Sequence, residues 1–185
     1  SISFSGVASL GSFTSISFDS SSTFFKVVDT NGGTIQFKGI ENLSVGDFAY
    51  TRVLTSRNTQ GQAFFNSTEK VVYLFNDGTT GGSLERTVFD TSGPAINVLP
   101  GLNRADNITI VGSSGNDSMS LDINRISDFS GNLSLTMGSG NDTLNSARLQ
   151  NGDSVDMGIG DDTVALIADP GGIGILSLSK LDGGA

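Results

Sequence analysis

The chain has no cysteine and no histidine. The first absence excludes disulfides, zinc–thiolate centres and cysteine nucleophiles. The second removes the commonest general base and the commonest transition-metal ligand. Tryptophan is missing and there are only 3 Pro. Glutamate is nearly missing: of 19 acids, 3 are Glu and 16 are Asp. Bases are scarce at 10, and the net charge of -9 argues against a nucleic-acid or acidic-lipid partner. No apolar stretch is long enough for a membrane span, and Ser1-Ile2-Ser3-Phe4 does not open a secretory leader.

What remains is 185 residues with 25 Gly, enough for one domain or two small ones. Aspartate without glutamate favours turns, caps and hard-cation sites over helix interiors. Apolar residues two apart recur on short runs bounded by Gly, Asn and Asp. Examples are Ile2-Ser3-Phe4, Ile16-Ser17-Phe18, Thr34–Phe37, Ile108–Val111 and Leu133–Met137. That spacing predicts strands with one buried face. Further strands are expected at 24–28, 48–54, 70–75, 85–89 and 95–99. The chain therefore reads as all-β.

The composition changes at residue 105. Before it lie 8 acids and 7 bases, a net of -1; after it lie 11 acids and 3 bases, a net of -8. All the aromatic residues except Phe129 precede it. Two regions are expected: an aromatic-rich β region over 1–105, either coils or a small sandwich, and an acidic region over 106–185. They join near Leu99-Pro100-Gly101-Leu102-Asn103.

Two repeats stand out. Ile2–Leu10 and Ile35–Leu43 share Ile, Phe, Gly and Leu at an offset of 33. The second repeat is sharper. Gly138-Ser-Gly140-Asn-Asp142-Thr-Leu144 and Gly158-Ile-Gly160-Asp-Asp162-Thr-Val164 share one frame. Ser113-Ser-Gly115-Asn-Asp117-Ser-Met119 is a degenerate copy, and Asp182-Gly183-Gly184-Ala185 reads as a copy broken off. A repeat at residue 2 and a broken motif at the end suggest a segment of a longer array.

The frame resembles the RTX family, whose glycine-rich nonapeptide binds calcium in a parallel β-roll or β-helix. The resemblance covers 112–185 and is looser over 1–105. It implies a right-handed parallel β-helix or β-roll, with Gly-x-Gly-x-Asp turns stacked along one edge of at least the C-terminal half. It also implies a secreted or cell-surface bacterial protein that folds after export, in the manner of surface-layer proteins and large adhesins. Tandem nonapeptides would space equivalent Asp about 18 apart. Here the intervals are 25 and 20, so each coil is expected to carry one calcium-type turn and one ordinary turn.

Calcium requires about six to eight hard oxygens at about 2.3–2.6 Å, more than one such turn supplies. Two turns stacked about 4.8 Å apart supply them together. The expected ligand set is Ser113, Gly115 and Asp117, then Gly138, Gly140 and Asp142, then Gly158, Gly160 and Asp162, then Gly183. It makes two interior sites, Asp117/Asp142 and Asp142/Asp162, and a third, incomplete one at Gly183. Asp161 would add charge or face solvent, and Asp153 and Asp156 are read as a solvated face. Met119, Leu121, Ile123, Leu133, Leu135, Met137, Leu144, Val155, Met157, Val164, Leu166 and Ala168 should point inward.

The function these residues favour is a calcium-binding structural or adhesive module, not an enzyme. Its partners would be calcium, other copies or neighbouring domains of the same protein, and surface glycans. A polysaccharide-acting enzyme is the first alternative: Tyr50, Tyr73, Lys70 and Arg86 are its reactive types, with Glu41 and Glu69 as an acid pair. A glycan- or ice-binding face is the second, though Ser139 and Ile159 stand where an ice-binding threonine row would.

Overall fold

The computed structural model describes residues 1–19, 24–53, 63–74, 83–84, 99, 102–103, 105–120, 130–147, 149–150, 152–166 and 180–182. These residues form an all-β structure with one 3-10 turn at Leu10–Ser12 and no α-helix. The strands are β1 (Ile2–Phe4), β2 (Ser15–Asp19), β3 (Phe24–Val28), β4 (Thr34–Phe37), β5 (Asn42–Val45), β6 (Phe48–Arg52), β7 (Ala63–Asn66) and β8 (Val71–Leu74). They continue as β9 (Ser83–Leu84), β10 (Ile108–Val111), β11 (Ser118–Ser120), β12 (Leu133–Thr136), β13 (Thr143–Ala147), β14 (Ser154–Asp156), β15 (Thr163–Leu166) and β16 (Lys180–Asp182). The strands expected at 85–89 and 95–98, residues Leu121, Ile123 and Ala168, Arg86, and the broken turn at Gly183 lie outside the described residues.

A nine-stranded sheet runs β1-β5-β6-β7-β8-β10-β12-β14-β16. It is mixed. β5 through β8 pair antiparallel, whereas β8 through β16 pair parallel. A four-stranded parallel sheet, β15-β13-β11-β9, takes the alternate strands. From β10 onward the chain therefore passes from one sheet to the other and returns one strand further on. Ser118 pairs with Thr143, 25 residues on, and Thr143 with Thr163, 20 on. Those are the intervals between the motif aspartates, so each interval is one coil.

A three-stranded antiparallel sheet, β2-β3-β4, covers the antiparallel part of the large sheet. The two copies of the 33-residue repeat do not occupy equivalent places. Phe4 lies on β1 in the large sheet, and Phe37 lies on β4 in the small one. β1 pairs instead with β5, Ile2 opposite Leu43.

The core has two clusters on opposite faces of the large sheet. One gathers Phe25, Val27, Phe37, Leu43, Tyr50 and Phe64. The other runs from Val53, Ala63, Phe65 and Val72 through Ile110 and Leu135 to Met157. β7 supplies both, because all four of its residues are buried and consecutive side chains leave a strand on opposite faces. The expected inward residues Met119, Leu133, Leu135, Met137, Leu144, Val155 and Met157 are buried, and Val164 packs against them. Leu166 is not: it is 45 % exposed on β15, the edge strand of the four-stranded sheet.

A candidate cation site in the stacked turns

The motif turns sit where the chain leaves the nine-stranded sheet for the four-stranded one. Consecutive coils bring them into register. Ser139 and Ile159 form a parallel bridge, in which Gly140 N donates to Ile159 O and Ile159 N to Gly138 O, both at 2.9 Å. The glycines have two reasons to be there. Gly158 and Gly160 have φ of 84° and 151°, in the left-handed region that side chains disfavour. A Cβ on either would also collide with the carbonyl oxygen of Gly138 or Gly140 in the coil below. The stack is thus a glycine-on-glycine contact.

The aspartates of the two full copies turn toward the coil before them. Asp142 Oδ1 accepts from Asp117 N at 2.8 Å, and Asp162 Oδ1 accepts from Asp142 N at 2.9 Å. The backbone runs the other way, with Thr143 N donating to Asp117 O and Thr163 N to Asp142 O. A second, exposed ladder lies alongside: Asn141 N donates to Asn116 Oδ1, and Asp161 N to Asn141 Oδ1. Asp161 is exposed and prolongs this polar stack.

The second carboxylate oxygens separate the turns. In the degenerate copy, Asp117 Oδ2 accepts from Ser113 N at 2.7 Å, and Ser113 Oγ lies 3.1 Å from both oxygens. In the two full copies a glycine stands where Ser113 does. There Asp142 Oδ2 and Asp162 Oδ2 are buried with no hydrogen-bond partner. A buried, unmatched carboxylate oxygen is costly unless a proton or a cation meets it. Asp142, 1 % exposed, has its carboxyl pushed up to about 6. Burial is the main cause and the Asp162 charge adds to it, against the hydrogen bond from the Asp117 N–H.

The expected ligands therefore divide. Asp142 and Asp162 meet as adjacent rungs with one free oxygen each. Asp117 is joined to Asp142 through the backbone but its own carboxylate is closed by Ser113. The carbonyls of Gly138 and Ile159 accept the bridge hydrogen bonds, which leaves each one further lone pair. No cluster of three or more acidic, histidine or cysteine side chains occurs among the described residues. A cation here would rest on two carboxylates with backbone oxygens and water.

Asp153 is not on a solvated face. It is fully buried, accepting from Leu133 N and Gln150 N at 2.8 Å each, so it ties the opposite turn to the preceding coil. Its sign in the sequence is the preceding Gly152, a turn residue beside which such a carboxylate can cap the backbone. Asp156 is half-buried and accepts from Gly158 N.

Among the described residues, Lys70, Tyr50 and Tyr73 have structural partners. Lys70 pairs with Asp106 at 3.1 Å. Leu10 N donates to the Tyr50 hydroxyl, and Tyr50 meets Tyr73 edge to face at 6.0 Å. Burial raises the pKa of both tyrosine hydroxyls and so keeps them neutral. Set against family models, curated proteins and solved structures, the chain matches none of them.

Proposed function

We propose that the coils are an RTX-like right-handed parallel β-roll that binds calcium, in a structural or adhesive module of a secreted or surface-exposed bacterial protein. Its role is to hold shape rather than to catalyse. One observation carries the reading: Asp142 and Asp162, on neighbouring coils, each keep a buried carboxylate oxygen without a partner. The comparison with Asp117 supports it. Where serine replaces the first glycine, its hydroxyl takes the place at the carboxylate that the ion takes in the other turns.

Calcium suits the position better than a transition metal, since every available donor is an oxygen. The ion bound between Asp142 and Asp162 is the strongest of the expected sites. The acidic region carries a net -8, which repels itself until cations neutralise it, so ordering and binding are coupled. Extracellular calcium modules work at about 10⁻⁴–10⁻³ M, a range that keeps the coils loose inside a cell and ordered outside it.

Calorimetric titration of the whole chain with calcium tests this. At least one ion should bind the native chain, and Asp142→Asn with Asp162→Asn should abolish that binding. A chain that takes up no calcium at millimolar concentration, or whose uptake is indifferent to this pair, refutes the reading.

A further inference from the structure

A groove of about 310 Å³ lies between the two regions, beside the motif turns. One wall is the 3-10 turn and the start of β2, the other is the pair of stacked turns at Gly112–Ser114 and Gly138–Ser139, and Tyr73 and Val111 lie between them. Its volume is at the low end of the ~300–1,000 Å³ of small-molecule sites, too small for a folded partner. Among the described residues, no charged side chain lines it. In a protein of net charge -9, this described lining carries no fixed charge to pair with a phosphate, a carboxylate or an amine. What it offers is half-buried apolar surface from Phe13, Ile16 and Tyr73, with the hydroxyl residues Ser15, Ser114 and Ser139 around it.

We infer that this groove is a binding site for a neutral saccharide of one or two pyranose rings. A pyranose has a C–H face that packs on aromatic and aliphatic side chains, and a rim of uncharged hydroxyls that both donate and accept. The lining has the same division, with aromatic and aliphatic surface beside hydroxyls that donate and accept in turn. Both walls belong to rigid elements: Thr14, at the head of β2, is bonded through its backbone and its side chain to Val28, and Gly112 N donates to Thr136 O at 2.7 Å. With the coils ordered, both walls are held by backbone hydrogen bonds to residues outside the groove. The groove shares Ser113 and Gly138 with the motif turns, so the inference rests on ordered coils, and the saccharide titrations are made in millimolar calcium, whose own binding is read separately.

The test is an array of neutral oligosaccharides, anionic oligosaccharides and short uncharged peptides probed with the whole chain, followed by titration of the best neutral disaccharide. Ser114→Lys puts bulk and charge at an exposed rim position, and Phe13→Ala removes an apolar contact. Each should weaken binding by at least about tenfold, whereas Ile35→Ala, on the exposed face of β4, should leave it unchanged. Circular dichroism confirms that the variants fold. The inference fails if no neutral saccharide binds at millimolar concentration. It also fails if only the anionic sugars or the peptides bind, or if saccharide binding is the same in Ser114→Lys.

Discussion

The aromatic half and the coiled half share one sheet but solve different problems. In the first, Phe25 stacks on Phe37 at 5.4 Å and meets Phe64 edge to face at 5.2 Å, around antiparallel strands with almost no net charge. In the second, aliphatic and methionine side chains line parallel coils whose turns concentrate carboxylates. Burial of apolar surface is sufficient for the first. The second adds a cost that burial does not remove, because its stacked turns bring like charges together one strand spacing apart. On the proposed reading, one continuous sheet carries two stabilities, one indifferent to ions and one dependent on them.

The largest expected effect breaks the boundary between the halves. Phe64 sits on β7, the strand whose faces feed both clusters. Phe64→Ala should cost about 3–5 kcal/mol, the usual range for deleting a buried phenyl ring. Equilibrium urea unfolding measures it. If the halves were independent, only the tyrosine near-UV signal would shift, since both tyrosines lie in the first; a shared sheet predicts that the far-UV transition of the coils moves as well.

Chelation should separate the halves again. Removing calcium should loosen the coils by about 2.7 kcal/mol relative to an ion concentration a hundredfold above Kd. The far-UV β signal should fall while the tyrosine and phenylalanine signals persist. A far-UV spectrum that chelator does not alter would leave the two halves equally ion-independent.

Acidity gives a related effect of on the order of 2–3 kcal/mol, from one carboxyl raised from 3.8 to about 6. A raised folded value means that the folded state binds the proton more tightly. For the ion-free protein, the stabilisation from Asp142 is full below about 3.8 and is lost as pH rises through about 6. Asp106 acts oppositely: its carboxyl is held low by the Asn103 N–H and by Lys70, so its contribution is lost only in stronger acid. Between pH 4 and 6.5 the ion-free melting temperature should therefore fall, and calcium should restore more of it at the upper end. Asp142→Asn should flatten the profile; a profile unchanged by it would place the titration elsewhere.

Much of this was legible in the chain. The 25- and 20-residue intervals between Asp117, Asp142 and Asp162 are the coil lengths, because a repeated turn must recur once per coil. Alternating strands such as Ile108–Val111 were legible because one of their faces is wet. Ala63–Asn66 shows no such alternation, being buried on both faces, and its role as the shared strand was hidden. Resemblance between Ile2–Leu10 and Ile35–Leu43 misleads for a related reason: strand and turn composition recurs without shared position. Asp153 reads as surface charge because the partners that bury it, Leu133 N and Gln150 N, are backbone groups that composition does not reveal.

The smallest effect sharpens the comparison within the coils. Asp117 differs from Asp142 in having Ser113, whose hydroxyl is shared between its carboxylate oxygens and also accepts from Gly115 N at 3.2 Å. Ser113→Ala removes that hydroxyl and keeps the Ser113 backbone N–H. In chelator it should cost about 1–2 kcal/mol, the penalty for leaving a buried acceptor short of a partner. In calcium the cost should shrink, because the space the hydroxyl leaves beside the Asp117 carboxylate, still held at Oδ2 by Ser113 N, admits an ion. Calorimetry should then count one more calcium than in the native chain. An equal loss in both conditions, with unchanged stoichiometry, would mean that serine and ion do not substitute for one another at Asp117.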